Sequence, residues 1–120
     1  MNALVLVIQH DPLMREVISD ILHAVGHTVV EADDACQALE LLETHAFDLL
    51  VTCQQPEPMT GVVLALEAKT LRPRMPIILI GVNFIKDASL PFIEAIIQTP
   101  FSVEELQGVI EKTLKEAACP

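Results

Sequence analysis

Short apolar, β-favouring runs alternate five times with stretches of helical spacing, and that alternation leaves the chain few folds to choose from. Leu4-Val5-Leu6-Val7-Ile8, Asp48-Leu49-Leu50-Val51-Thr52-Cys53 and Ile77-Ile78-Leu79-Ile80 are nearly unbroken apolar runs. Runs of this length, bounded by turn residues, read as strands buried on both faces. Thr28-Val29-Val30-Glu31-Ala32 and Ala95-Ile96-Ile97-Gln98 are the other two strands. The polar residues flanking the first of these place it nearer a sheet edge.

The intervening segments carry helix signals. Asp11 is a good N-cap and Pro12 suits the first helical position. Met14, Val17, Ile18, Ile21, Leu22 and Val25 then repeat at helical spacing, with Arg15, Glu16, Ser19, Asp20 and His23 on the opposite face and Gly26 as the stop. Asp34 caps a second helix, with Gln37 placed as in a capping box. Its stripe is Ala35, Ala38, Leu39 and Leu42. A third helix runs from Gly61 to about Leu71 and is broken by Arg72-Pro73-Arg74-Met75-Pro76. Ser102-Val103-Glu104-Glu105 opens the last helix as a capping box, and Leu106, Val109, Ile110, Thr113 and Leu114 form its face. Between Val82 and Glu94 the periodicity is poor. Pro91 would cost a helix interior about 3 kcal/mol, so the fourth helix is expected to be short, irregular or displaced.

The order is βα five times, which implies an α/β fold: a doubly wound, five-stranded parallel sheet with helices on both faces. The flavodoxin-like strand order 2-1-3-4-5 is one common solution. It makes the first and third strands neighbours, about 4.8 Å apart. His10 and Cys53 then share a pocket at the carboxyl edge, where ligands bind in open α/β sheets, with Gly81 and Thr99 on its far side.

Bulk properties narrow the function. At 120 residues the chain is one domain, 1–120, with a tail at 116–120 expected to fray. With no Tyr or Trp the core must be aliphatic. No apolar run approaches a membrane span and no signal peptide is evident, so a cytoplasmic location is expected. A net charge of −10 with seven Lys and Arg argues against nucleic-acid binding by this domain. Three cysteines without a CxxC pair point to reduced thiols.

Three stretches, VLVIQHDPLMREVISDIL, FDLLVTCQQPEPMTG and TPFSVEEL, carry a resemblance to a known family. From about Leu4 to Leu114 the chain resembles the receiver domain of two-component response regulators. The resemblance implies the fold above and, for the family, a Mg²⁺ ion held by an acidic pair after the first strand and an aspartate that accepts a phosphoryl group. Gln9 and His10 stand where the acidic pair should be, and Cys53 where the phosphoacceptor should be. Gly81 replaces the hydroxyl residue of the fourth strand, Thr99 the lysine before Pro100-Phe101, and Ile96 the aromatic switch residue. The fold carries over; the reactive residues do not. The form is degenerate: an acyl phosphate needs a carboxylate, and phosphoryl transfer needs cations around the equatorial oxygens.

The residues leave sharper readings to weigh. Cys53 with His10 could form a thiolate–imidazolium pair for redox sensing or covalent chemistry; Cys53 as a small inert filler is preferred. A metal site at His10, Asp11 and Cys53 has no recognised spacing, and none is expected. Asp11 as an unusual phosphoacceptor is set against its role as an N-cap, which is preferred. His23, His27 and His45 are expected to be solvated, Cys36 to pack in its helix and Cys119 to be an exposed thiol. Gln54-Gln55-Pro56-Glu57-Pro58 reads equally as a recognition loop or a plain connection. Phe84, Ile85, Leu90 and Phe92 are candidates for a docking patch, although folding back as core is preferred.

The reading is thus a non-enzymatic, phosphorylation-independent pseudo-receiver that acts by protein–protein interaction and needs no cofactor. By resemblance its contact face is built from the segment after the fourth strand, the fifth strand and the last helix. The partner would be a histidine kinase, a fused signalling domain or another regulator, and a homodimer through that face is compatible with the sequence. The domain is either stand-alone or part of a longer protein. The alternatives are a thiol sensor or enzyme at Cys53 and a phosphoacceptor at Asp11.

Overall fold

Strands that bury every side chain sit between strands that do not, and this gradient orders the sheet. The computed structural model describes residues 2–53, 61–81 and 93–118, apart from the side chains of residues 61, 62 and 118. In chain order the elements are β1 (Leu4–Ile8), α1 (Pro12–Ala24), β2 (Thr28–Ala32), α2 (Ala35–Thr44), β3 (Leu49–Cys53), α3 (Gly61–Leu71), β4 (Ile77–Gly81), β5 (Ala95–Gln98) and α4 (Val103–Ala118). All strand pairs are parallel, in the order β2-β1-β3-β4-β5. β3 and β4 are buried throughout, whereas the edge strands β2 and β5 each expose two residues. This is the flavodoxin-like arrangement expected from the βα alternation.

Side chains alternate across the sheet and build two cores. Val5, Val7, Leu49, Val51, Cys53, Ile78 and Ile80 face one side and pack with Ile18 and Leu22 of α1 and Leu106 and Ile110 of α4. Leu6, Ile8, Leu50, Ile77 and Leu79 face the other and pack with Leu42 of α2 and Leu64, Ala65 and Ala68 of α3. Each fully buried Leu, Ile or Val contributes about 1.5–3 kcal/mol, so the sheet interior dominates the stability.

The caps follow the sequence signals. Asp11 Oδ1 accepts from the backbone N–H of Leu13 at 3.0 Å, Asp34 Oδ1 from Gln37 at 2.8 Å and Ser102 Oγ from Glu105 at 3.0 Å. Gly26 takes a φ of +92° just past α1, a conformation glycine adopts without a Cβ penalty. The Gln37 side chain accepts from the N–H of Asp33, one residue before the N-cap, and so departs from a true capping box.

Several local expectations are corrected. On α1 the buried arc centres on Ile18 and Leu22, which turns Val17 outward at 47 % exposure and takes Ser19 inside. Cys36 is exposed on α2. His27 is buried: its Nδ1 accepts from the backbone N–H of Ala3 at 3.1 Å, and its Nε2 lies 3.4 Å from Glu111 Oε1 on α4. Asp48 precedes β3, where its backbone N–H donates to Leu4 O and its carboxylate accepts from the N–H of Leu4. α4 runs to Ala118, and residues 119–120 of the tail lie outside the described residues. The irregular fourth helix, the Gln54–Pro58 loop, the docking candidates Phe84, Ile85, Leu90 and Phe92, and Cys119 lie outside the described residues.

Candidate functional site

The carboxyl edge of the sheet gathers the residues that strand order brings together. Gln9, His10, Asp11, Cys53, Gly81 and Thr99 line one cavity of about 270 Å³. Met14 and Ile80 also line it. Met14 is legible in the sequence as α1 core but not as pocket lining. Ile80 joins because it pairs with Cys53 in the β3–β4 register. Ile96 stands apart on β5, at 39 % exposure.

Gln9 is the centre of the arrangement. It follows β1 and is buried. Its backbone N–H donates to Ala32 O at 3.2 Å, and its carbonyl accepts from Arg15 Nη1 at 2.7 Å. The Nε of Arg15 reaches Glu31 Oε1 of β2 at 3.2 Å. Arg15, which periodicity assigns only to the outer face of α1, thereby clamps the ends of two strands. The Gln9 side chain works in two directions: Oε1 accepts from the N–H of Asp11 at 3.1 Å, and the same side chain hydrogen-bonds Cys53.

Cys53 ends β3 at 2 % exposure. Burial pushes its thiol from 9.0 up to about 12, against the opposing pull of the Gln9 hydrogen bond. Desolvation penalises the thiolate more than one hydrogen bond relieves it. The group is therefore a neutral thiol at physiological pH, not the thiolate that nucleophilic or redox chemistry uses. His10 lines the same cavity but is exposed. Thr99 follows β5, donates its N–H to Gly81 O at 2.8 Å and precedes a cis peptide to Pro100.

These donors do not fit the magnesium ion that the resemblance implies. Mg²⁺ needs hard oxygen ligands, usually carboxylates, in near-octahedral geometry. Among the described residues the cavity offers an amide already engaged on both sides, an imidazole, a protonated thiol, the hydroxyl residue Thr99 and a single carboxylate, Asp11, whose Oδ1 is spent on capping α1. Among the described residues no lysine lines the cavity.

Comparison with known proteins places this geometry. The model of the response regulator receiver domain matches residues 5–111. The chemotaxis protein CheY of Pseudomonas aeruginosa is 30 % identical over 115 residues, covering 90 % of this chain and 93 % of that protein. The response regulator receiver protein CpdR of Brucella abortus is 29 % identical over 114 residues, covering 92 % and 95 %. Among solved structures, a CheY-like receiver domain protein from Methanospirillum hungatei superposes with a TM-score of 0.83 at 25 % identity, over 98 % of this chain and 97 % of that one. NtrX from Brucella abortus gives a TM-score of 0.87 at 25 % identity over 98 % of this chain, which spans only 28 % of the NtrX chain. Among the described residues no helix is long and apolar enough to cross a membrane. The chain belongs to the response regulator receiver domain family, the receiving modules of two-component signalling.

Proposed function

We infer that this receiver domain is a pseudo-receiver: it signals without being phosphorylated, catalyses nothing, and works by binding another protein. The observation that carries this reading is the buried Cys53 at the end of β3, where a thiol stands in place of a carboxylate and Gln9 hydrogen-bonds it. A thiol cannot form the acyl phosphate of a carboxylate, and among the described residues the cavity walls supply neither an acidic pair nor a lysine to balance phosphoryl charge. The Gln9 side chain links the end of β1 to the end of β3, accepting from the N–H of Asp11 and hydrogen-bonding Cys53. Exposed Ile96 on β5 and Val103 at the start of α4 leave apolar surface on the face the family resemblance gives to partners. A histidine kinase, a fused signalling domain, another regulator or a second copy would dock there.

Incubation with acetyl phosphate and Mg²⁺, followed by intact-mass measurement, tests the reading. The expected result is unchanged mass. A stable phosphoryl adduct overturns it, and mapping of that adduct to Asp11 would instead establish an unusual phosphoacceptor.

A further inference from the structure

At the end of the sheet opposite Cys53, a second cleft of about 610 Å³ opens among the residues leading into β3, the turn between α3 and β4, and the last turns of α4. That volume falls within the roughly 300–1,000 Å³ of small-molecule sites. Phe47, Met75, Leu71 and Leu114 form much of its apolar wall. Phe47 and Met75 are 7 % and 5 % exposed, so packing holds the floor in place, while Leu71 at 39 % leaves apolar surface at the rim. The unbranched thioether of Met75 adapts to irregular shapes.

Among the described residues three charged groups line the same cleft, and they are unequally committed. The Asp48 carboxylate accepts from the N–H of Leu4 at 2.8 Å. Arg72 spends Nε on Leu42 O at 3.0 Å and an Nη on His45 O at 3.3 Å, which ties the turn to α2. Arg74 is exposed and makes no hydrogen bond or ion pair among the described residues. Three of the chain's seven Lys and Arg fall within residues 69–74, although the net charge is −10. Two guanidinium groups facing one occupied carboxylate thus make this cleft locally positive on an acidic molecule.

An apolar wall with an uncommitted guanidinium beside it complements one chemical class. A guanidinium holds a carboxylate through two parallel N–H donors, and the wall removes an aliphatic or aromatic tail from water. We propose that this cleft binds small amphipathic carboxylates. Among the described residues the site shares none with the Cys53 cavity, so the two can be probed separately.

Decanoate is the probe and decanol the uncharged control, each titrated below its aggregation threshold into the full chain and followed by amide NMR. Decanoate is expected to shift the amides of Phe47, Asp48 and Met75 saturably and to leave Gln9 and Cys53 unmoved. Arg74→Glu is expected to weaken decanoate about fivefold or more, as loss of a charge-assisted contact does, and Arg74→Lys to weaken it less. Ala117→Phe adds bulk at an exposed helical position lining the cleft; it should reduce binding with the circular dichroism spectrum unchanged. Absence of saturable shifts at the three amides overturns the proposal. So does equal affinity for decanol and decanoate, or an Arg74→Glu variant that binds decanoate as the unaltered chain does.

Discussion

The side-chain carbonyl of Gln9 accepts the backbone N–H of Asp11 at 3.1 Å. That bond orients the Gln9 amide group, whose nitrogen is then free to donate toward Cys53 across the gap between β1 and β3. Asp11 meanwhile turns its own carboxylate onto α1. One neutral side chain and one helix cap thus engage the Gln9 amide and one oxygen of Asp11, while His10 and Thr99 still line the cavity.

Stability should depend on alkaline pH through Cys53. Between its ordinary value of 9.0 and about 12 in the fold, the unfolded chain releases the thiol proton and the folded chain retains it. Stability therefore falls as pH rises through that window, by at most about 1.4 kcal/mol per pH unit, and this contribution is flat below it. Urea unfolding at about pH 8 and about pH 10 measures the difference, which Cys53→Ala should remove. In the native state iodoacetamide should label exposed Cys36 and spare Cys53.

His27 is expected to matter through its position, not its charge. Its Nδ1 is the acceptor for the buried N–H of Ala3. His27→Ala strands that donor and leaves a cavity, for a loss of about 1–3 kcal/mol in denaturant unfolding. Glu111 is half-exposed and 3.4 Å from Nε2; Glu111→Gln should cost less than about 1 kcal/mol. Equal losses for the two variants would contradict this assignment.

Glu94 fastens β4 beside β5. Its Oε1 accepts from the N–H of Ile77 at 2.7 Å, and Lys69 Nζ reaches both its oxygens at 3.1 Å and Met75 O at 2.9 Å. Glu94→Ala should cost about 1–3 kcal/mol because it leaves a backbone donor unpaired. Lys69→Met should cost less, since the Ile77 bond survives. Thermal melts of the two variants give the ranking.

Thr52 buries a hydroxyl that has no partner among the described residues. A desolvated, unpaired hydroxyl is unfavourable. Thr52→Val keeps the shape and is expected to raise stability by about 1 kcal/mol in urea unfolding; a loss of that size would show that Oγ1 has a partner after all.

Local order determined most of the secondary structure. β-Favouring runs, the caps at Asp11, Asp34 and Ser102, and the stop at Gly26 each act within a few residues, so strands and helices were legible from the chain alone. The βα alternation made the strand order 2-1-3-4-5 one common solution, which puts His10, Cys53, Gly81 and Thr99 at one edge, and the family resemblance added Gln9 and Asp11 to that site. The tertiary structure decided what depends on distant neighbours. Cys53 is a neutral thiol because burial strips water from it. His27 is inside because Ala3 and α4 close over it, and Arg15 is a clamp because β2 brings Glu31 alongside. The cleft beside Arg74 exists only once residues near 47, 75 and 114 meet. Desolvation and long-range contact are properties of the packed chain, and no local pattern encodes them.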